Sequence, residues 1–209
     1  TITDYARNRI SHFTGIDRRK IKAIHLAPKK MAVAEPEPGY TPTFQIPTSK
    51  FILHVGTLEK RKNLVRLIEA FNLLRLSGHQ DYSLILVGQP SPKIDMDDSV
   101  AIHEVIDKLG LRDFVLTPGY ASDQDLAYFY KHAEIYAFPS INEGFGVPVL
   151  EAFHHQLPVI VSDNTCLPEV GGDAVLCFDP FNIEDISNKM KVLIEDNELR
   201  SELIRNGNE

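Results

Sequence analysis

Four short apolar runs restrict what this chain can fold into: FILHV at 51–55, YSLILV at 82–87, IYAFP at 135–139 and PVIVS at 158–162. None alternates apolar with polar residues, as a strand with one wet face would. Each reads as a strand covered on both faces, which is the condition of a parallel sheet sandwiched between helices. Two weaker runs, FVLTP at 114–118 and AVLCF at 174–178, predict two further strands. Helical patterns fill the intervals. In NLVRLIEAFNLL, the residues Leu64, Leu67, Ile68, Phe71 and Leu74 make one apolar stripe, with Asn63 at the N-cap position and Gly78 closing the helix. Further helices are expected over 98–109, 122–132, 147–155 and 182–195. Strand and helix alternating at this spacing imply an α/β fold with a doubly wound, Rossmann-like parallel sheet. Ligands of such folds sit beyond the carboxyl ends of the strands, which directs attention to the loops after Val55, Val87, Pro118, Pro139 and Ser162.

The first 26 residues have a different character. TDYARNRISHFTG predicts a helix capped by Thr3 or Asp4 and stopped by Gly15, and IKAIHL at 21–26 predicts a strand. Residues 27–49 carry Pro28, Pro36, Pro38, Pro42 and Pro47. That stretch is long for a loop inside one compact domain and reads as a proline-rich linker, leaving 50–209 as the domain proper. A formal charge of -7 argues against a nucleic-acid partner, because neutralising phosphates in number needs a basic surface. Cys166 and Cys177 read as two reduced thiols of a cytoplasmic protein. No apolar run approaches the roughly 20 residues of a membrane-spanning helix.

Two strand-to-helix turns carry the chemistry. FPSINEGFGVPVLEAF, at 138–153, leaves a strand, turns through Gly144 and Gly146 and enters a helix with Pro148 in its first turn. Free backbone N–H groups and the positive end of the helix dipole make such a turn an anion site. Glu143 and Glu151 flank it; beside an anion site, carboxylates make sense as acceptors for sugar hydroxyls rather than as phosphate ligands. HVGTLEKRKNLVRL, at 54–67, turns at Gly56 and brings Lys60, Arg61 and Lys62 to the start of the next helix, where cations and dipole together attract a diphosphate. Taken singly, each turn is also compatible with plain solvated loop chemistry. Both open on the same edge of one sheet, which favours a shared site.

The other polar candidates read as structural. His54 lies inside a strand and reads as packed; His154 and His155 are adjacent and so cannot form an i, i+4 metal pair. Arg18, Arg19 and Lys20 read as a solvated run, and KIDMDDS lacks the glycine and distal glutamate of a calcium loop. No metal site is expected.

EGFGVPVLEA, with Glu143 and Glu151 eight positions apart, resembles the E-x7-E motif of retaining glycosyltransferases. It is similar in particular to the large family that holds bacterial mannosyltransferases and many lipopolysaccharide enzymes. VGTLEKRKNLVRLIEAF resembles that family's glycine-to-lysine diphosphate loop, and LILVG at 84–88, PGY at 118–120, YAFPS at 136–140 and LPEVGGDAVLCFDP at 167–180 match in order. The resemblance implies the C-terminal, donor-binding half of a GT-B enzyme, with 1–26 as a remnant or crossover of an N-terminal domain. By this resemblance Glu143 meets the transferred sugar, Gly144, Phe145 and Gly146 line its pocket, and the N–H of Val147 holds the diphosphate. Glu151 takes the ribose hydroxyls, Lys62 neutralises the leaving phosphates, and Gly88 and Tyr120 lie on the loops that receive the base. Gly56 and Thr57 open the diphosphate loop. Many members carry Arg where this chain has Thr57, and Arg61 stands as the replacement charge.

The reaction implied is transfer of a hexose, mannose favoured, with retention from a nucleoside diphosphate sugar to a saccharide or lipid-linked acceptor. It needs no metal or cofactor, and GDP-mannose is the favoured donor. The acceptor is expected on the N-terminal domain, with peripheral attachment at the inner membrane face in the full-length protein. A non-catalytic nucleotide-sugar sensor, or a GT-B epimerase or phosphorylase, would use the same pocket.

Overall fold

The computed structural model describes residues 1–26, 36–37 and 39–208. Their elements run in the order α1 (Asp4–Thr14), β1 (Lys50–Val55), α2 (Leu64–Leu76), β2 (Tyr82–Val87), α3 (Ser99–Lys108), β3 (Val115–Gly119), α4 (Asp123–His132), β4 (Ile135–Phe138), α5 (Val147–His154), β5 (Val159–Ser162), α6 (Leu167–Gly171), β6 (Val175–Phe178), α7 (Ile183–Glu195) and α8 (Asn197–Gly207). The six strands form one sheet in the order β3-β2-β1-β4-β5-β6, every pair parallel. This is the doubly wound arrangement, and its order reverses between β1 and β4.

The absence of alternation in the apolar runs has its cause here. Ile52, Leu84, Leu86, Ile135, Ala137 and Ile160 point to one face, where α2, α3, α7 and α8 supply Leu67, Phe71, Ile106, Met190 and Leu203. Phe51, Leu53, Ile85, Tyr136, Phe138 and Val159 point to the other, against Phe129 and Tyr130 of α4 and Val149 and Ala152 of α5. Each fully buried aliphatic or aromatic side chain stabilises the fold by about 1.5–3 kcal/mol, so a strand with two dry faces needs apolar residues at successive positions.

Three expectations need correction. Residues 21–26 form no strand: the segment lies beside no sheet edge, and Ile24 and Leu26 remain exposed. It pairs with no strand; the N–H of Ile24 bonds instead to the carbonyl of Thr1 (2.9 Å). Asn63 occupies the N-cap position of α2 but makes no capping bond, because it adopts the left-handed conformation (φ 59) and sends its side chain elsewhere. The helices α6 and α8 were not anticipated; α8 buries only Leu203, so its sequence carries little apolar periodicity. The predicted helix at the N-terminus does form, with Thr3 accepting from the N–H of Ala6 and Gly15 closing it in the left-handed conformation.

Both flanking segments are tied to the sheet domain. Glu169 of α6 accepts the N–H groups of Asp4 and Tyr5 at 2.7 and 2.9 Å, which docks the start of α1. Of the proline-rich stretch 27–49, residues 27–35 and 38 lie outside the described residues. Farther along it, Asp125 of α4 accepts from the Tyr40 hydroxyl and the N–H of Thr43, and Phe44 and Ile46 pack on the core. Cys166 and Cys177 are free thiols, and no helix among the described residues is long and apolar enough to cross a membrane.

Among the buried polar side chains of the described residues, His54 is the one that titrates inside a strand. His54 of β1 is fully buried, and burial, reinforced by Lys62, pulls its pKa from 6.5 down to about 3 against the opposing bond from its ring to the Ala137 carbonyl. Between those values the unfolded chain binds a proton that the native one does not, so stability is complete above about pH 6.5 and falls as the pH drops. The slope is about 1.4 kcal/mol per pH unit. Urea denaturation should therefore find about 2 kcal/mol less stability at pH 5 than at pH 7 from this group, and His54→Phe should remove that difference. An unchanged pH dependence in the variant would contradict a buried neutral histidine.

Candidate functional site

The order reversal between β1 and β4 opens a crevice at the carboxyl ends of those two strands, and the two motif loops, 56–63 and 139–146, form its walls. The wall beyond β1 is built by backbone contact. The N–H of Gly56 donates to Val87 O, that of Leu58 to Gln89 O and that of Gly88 to Gly119 O, each at 2.9 Å, so the loops after β1, β2 and β3 are zipped side by side. A β-carbon on Gly88 would collide with the Gly56 carbonyl oxygen, so only glycine permits this approach. Gly88 thereby shapes the loop, whereas Tyr120 stands exposed at its rim.

From that loop a short 3-10 turn, Lys60–Lys62, presents two cations to the crevice. Lys62 Nζ and Arg61 Nη1 both donate to the same carboxylate oxygen of Glu143, Oε1, at 2.7 Å. The Lys62 and Glu143 side chains are only 8% and 11% exposed, so this is a desolvated pair rather than a surface contact. Burial lowers the pKa of Lys62, and Glu143 works against that shift. Arg61, about one-third exposed, reaches back through Nε to Glu59 Oε2 at 2.7 Å. Glu59 is held below the usual carboxylate range: burial would raise it, but Arg61 and Lys62 outweigh that. Thus the three residues singled out as catalytic in the sequence, Glu143, Lys62 and Arg61, do come together. Thr57 lies on the same loop, and Arg61, with Lys62, faces Glu143 from it.

The opposite wall is the loop from Ser140 to Gly146. A cavity of about 370 Å³ is lined by Arg61, Asn142, Glu143 and Gly144. Phe145 is buried, with its ring edge against His25 at 6.1 Å. Gly146 takes φ 99 at the N-cap of α5, where a β-carbon would stand 2.9 Å from Leu167 Cδ2. Pro148 has no N–H and Val149 donates to Gly146 O at 2.9 Å, which leaves the N–H groups of Gly146 and Val147 as donors at the head of the helix. Glu151, one turn further, accepts the Tyr130 hydroxyl at 2.8 Å. Burial, together with the charge of Glu151, pushes the phenols of Tyr130 and Tyr136 well up.

Several residues that position this site were not singled out in the sequence. Asn63 Nδ2 donates to the carbonyls of Pro139 (3.2 Å) and Pro180 (2.7 Å), pinning the loops after β4 and β6 to the end of the cation turn. Asn164 Nδ2 donates to Ile141 O at 2.9 Å, and Cys166 Sγ to Glu143 O at 3.3 Å, so the Glu143 backbone is held from β5's loop. The signal for Asn63 was present as an asparagine directly before a helix; its role was misread as capping.

Residues 42–209 match the family described as glycosyl transferases group 1. The chain is 30% identical over 203 residues to O-antigen chain mannosyltransferase B of Escherichia coli, covering 96% of this chain and 52% of that protein. It therefore spans about half the length of that curated relative. Among solved structures, the C-terminal domain of LpcC, a glycosyl transferase group 1 family protein from Francisella tularensis, superposes with a TM-score of 0.68 at 27% identity, covering 78% of this chain and 84% of that one. Anabaena Alr3699/HepE, solved in complex with UDP and glucose, superposes with a TM-score of 0.66 at 22% identity, covering 75% and 42%.

The pinning role of Asn63 is open to direct test. Asn63→Ala leaves two buried carbonyls without their donor and puts alanine where φ is 59, a conformation asparagine tolerates better. It should cost about 2–4 kcal/mol in urea denaturation. A loss below about 0.5 kcal/mol would mean that the loops are held by other contacts.

Proposed function

Since this chain belongs to the glycosyl transferases group 1 family, we propose that it is the donor-binding half of a retaining glycosyltransferase. The enzyme moves a hexose, mannose favoured, from a nucleoside diphosphate sugar to a saccharide or lipid-linked acceptor. The observation that carries this reading is the convergence of Arg61, Lys62 and Glu143 on one point of the crevice between β1 and β4. Two cations and the head of α5 suit a diphosphate, and a carboxylate beside them suits sugar hydroxyls. The mannosyltransferase name of the E. coli relative supports mannose and, with it, GDP-mannose as donor. The UDP and glucose bound by HepE support a nucleotide sugar in general.

On this reading the Lys62–Glu143 pair is the resting arrangement. Arrival of the donor exchanges one anion for another: the diphosphate takes Lys62 and Arg61, and Glu143 turns to the hydroxyls of the sugar. As the glycosidic bond to phosphate lengthens, negative charge grows on the leaving diphosphate. Lys62, Arg61 and the N–H of Val147 stabilise it without a metal. Retention follows from attack on the face the phosphate leaves, the phosphate oxygen taking the acceptor proton. Glu151 holds the ribose, and the acceptor binds on a part of the full-length protein beyond these residues. That protein works in the cytoplasm, peripheral to the inner membrane face when its acceptor is lipid-linked.

Calorimetric titration of the chain with GDP, UDP, ADP and NAD tests the reading. One nucleoside diphosphate should bind, GDP foremost, and NAD should not. Lys62→Ala and Glu151→Ala should each weaken it by roughly 10- to 100-fold, the range for losing a hydrogen bond to a charged group. Binding of no diphosphate by the folded chain, or binding indifferent to both substitutions, would count against a donor site here.

A further inference from the structure

His54 is the one fully buried ring nitrogen system beside the crevice that the donor reading leaves without a task. Its Nδ1 lies 2.9 Å from the carbonyl oxygen of Ala137, an acceptor only, so Nδ1 carries the proton and donates. Nε2 is then a bare lone pair, buried and without a hydrogen-bond partner. The ring is fixed by near-parallel stacking on Phe138 (5.7 Å, 21°) and Tyr136 (6.4 Å, 14°). A phenylalanine would satisfy that stacking, and the bond to Ala137 explains the Nδ1 donor but not a buried acceptor left without a partner, so structure alone does not account for Nε2.

The direction of the lone pair does account for it. A β-carbon built on Gly56 would stand 3.2 Å from His54 Nε2, 3.3 Å from Lys62 Cε and 3.4 Å from Lys62 Nζ. The ring nitrogen and the ammonium therefore both lie close to the space beside the bare α-carbon of Gly56, which a side chain there would occupy. Phe138 spans the pair as well: the Lys62 ammonium sits 4.7 Å over its ring, the same ring on which His54 stacks. In the arrangement seen, Lys62 is turned to Glu143. Once Glu143 is drawn to the sugar, a desolvated ammonium needs an uncharged acceptor behind it, since a second carboxylate there would cancel its pull on a phosphate.

We propose that His54 is a positioning residue for Lys62: its Nε2 lone pair receives the Lys62 ammonium when Lys62 exchanges Glu143 for the donor diphosphate. The inference rests on the donor-site reading. It assigns the histidine of β1 a neutral, Nδ1-protonated state throughout, with Gly56 kept side-chain-free so that Nε2 and Nζ can meet.

A double-mutant cycle on the chain tests it, with GDP and UDP as probes. His54→Phe keeps the stacking and removes the acceptor together with the donor to Ala137 O, a loss common to both backgrounds that the cycle cancels; it should weaken binding of the preferred diphosphate roughly 10-fold in the unaltered background and less than about twofold in Lys62→Met. His54→Gln, whose amide oxygen can replace Nε2, should recover affinity to within about threefold. A purely structural role would instead give equal losses in both backgrounds and no rescue by glutamine, and that result would overturn the proposal. Nitrogen-15 NMR of the unaltered chain guards against a variant that fails to fold. The Nε2 resonance should be that of an unprotonated nitrogen and should move on adding GDP, whereas a protonated Nε2 would overturn the proposal outright. Diphosphate binding that needs Lys62 but ignores His54 sinks this inference and spares the donor site. Absence of nucleotide binding removes both.

Discussion

A single carboxylate oxygen, Glu143 Oε1, holds Lys62 and Arg61 together across the point where the strand order reverses. The pair with Lys62 is desolvated, so neither partner can be left alone cheaply: removing one side of a buried ion pair costs about 3–5 kcal/mol. That constraint explains why so much of the surrounding backbone is fixed. Asn63 pins the end of the cation turn to the loops after β4 and β6, and Asn164 and Cys166 hold the backbone at Ile141 and Glu143. On the donor-site reading proposed above, these contacts hold both cations at the crevice and only their anionic partner has to change.

The sheet supplies the other half of the design. Parallel strands end together, so their loops meet at one edge, and the zipped backbones of Gly56, Gly88 and Gly119 bring the β1 loop against its neighbours. Glycine at 56 and 88 serves close approach first. At 88 a side chain has no room, and at 56 it would press on both the His54 ring and the Lys62 side chain. The local rule that glycine weakens a loop is overridden because the site needs backbone and side chains closer than a β-carbon allows.

The sheet was legible in the sequence because two dry faces write an unbroken apolar run, and all six runs became strands within a residue or so. The chemistry of the crevice was legible too, since Glu143 and the Lys60–Lys62 run stand at strand ends. What the sequence did not carry is anything set by contacts distant in the chain. Residues 21–26 are rich in apolar residues, but a strand needs a neighbour to pair with, and this segment pairs with none of the six. Asn63 looks like a cap until Pro139 and Pro180 are seen beside it. His54 looks like one polar lapse in an apolar run until the glycine opposite brings Lys62 to its open side. For Asn63 the missing information is a pair of partners 76 and 117 residues away, and for His54 it is the fold of the loop that returns a lysine eight residues on.

The central claim is that the crevice between β1 and β4 exchanges Glu143 for a donor diphosphate on Lys62 and Arg61. A crystal structure of the chain with GDP bound tests it most directly. The account predicts the two phosphates against Lys62, Arg61 and the N–H of Val147, the ribose on Glu151, and Glu143 swung away from both cations. A nucleotide bound elsewhere, or bound with Glu143 Oε1 still shared between Lys62 and Arg61, would contradict it.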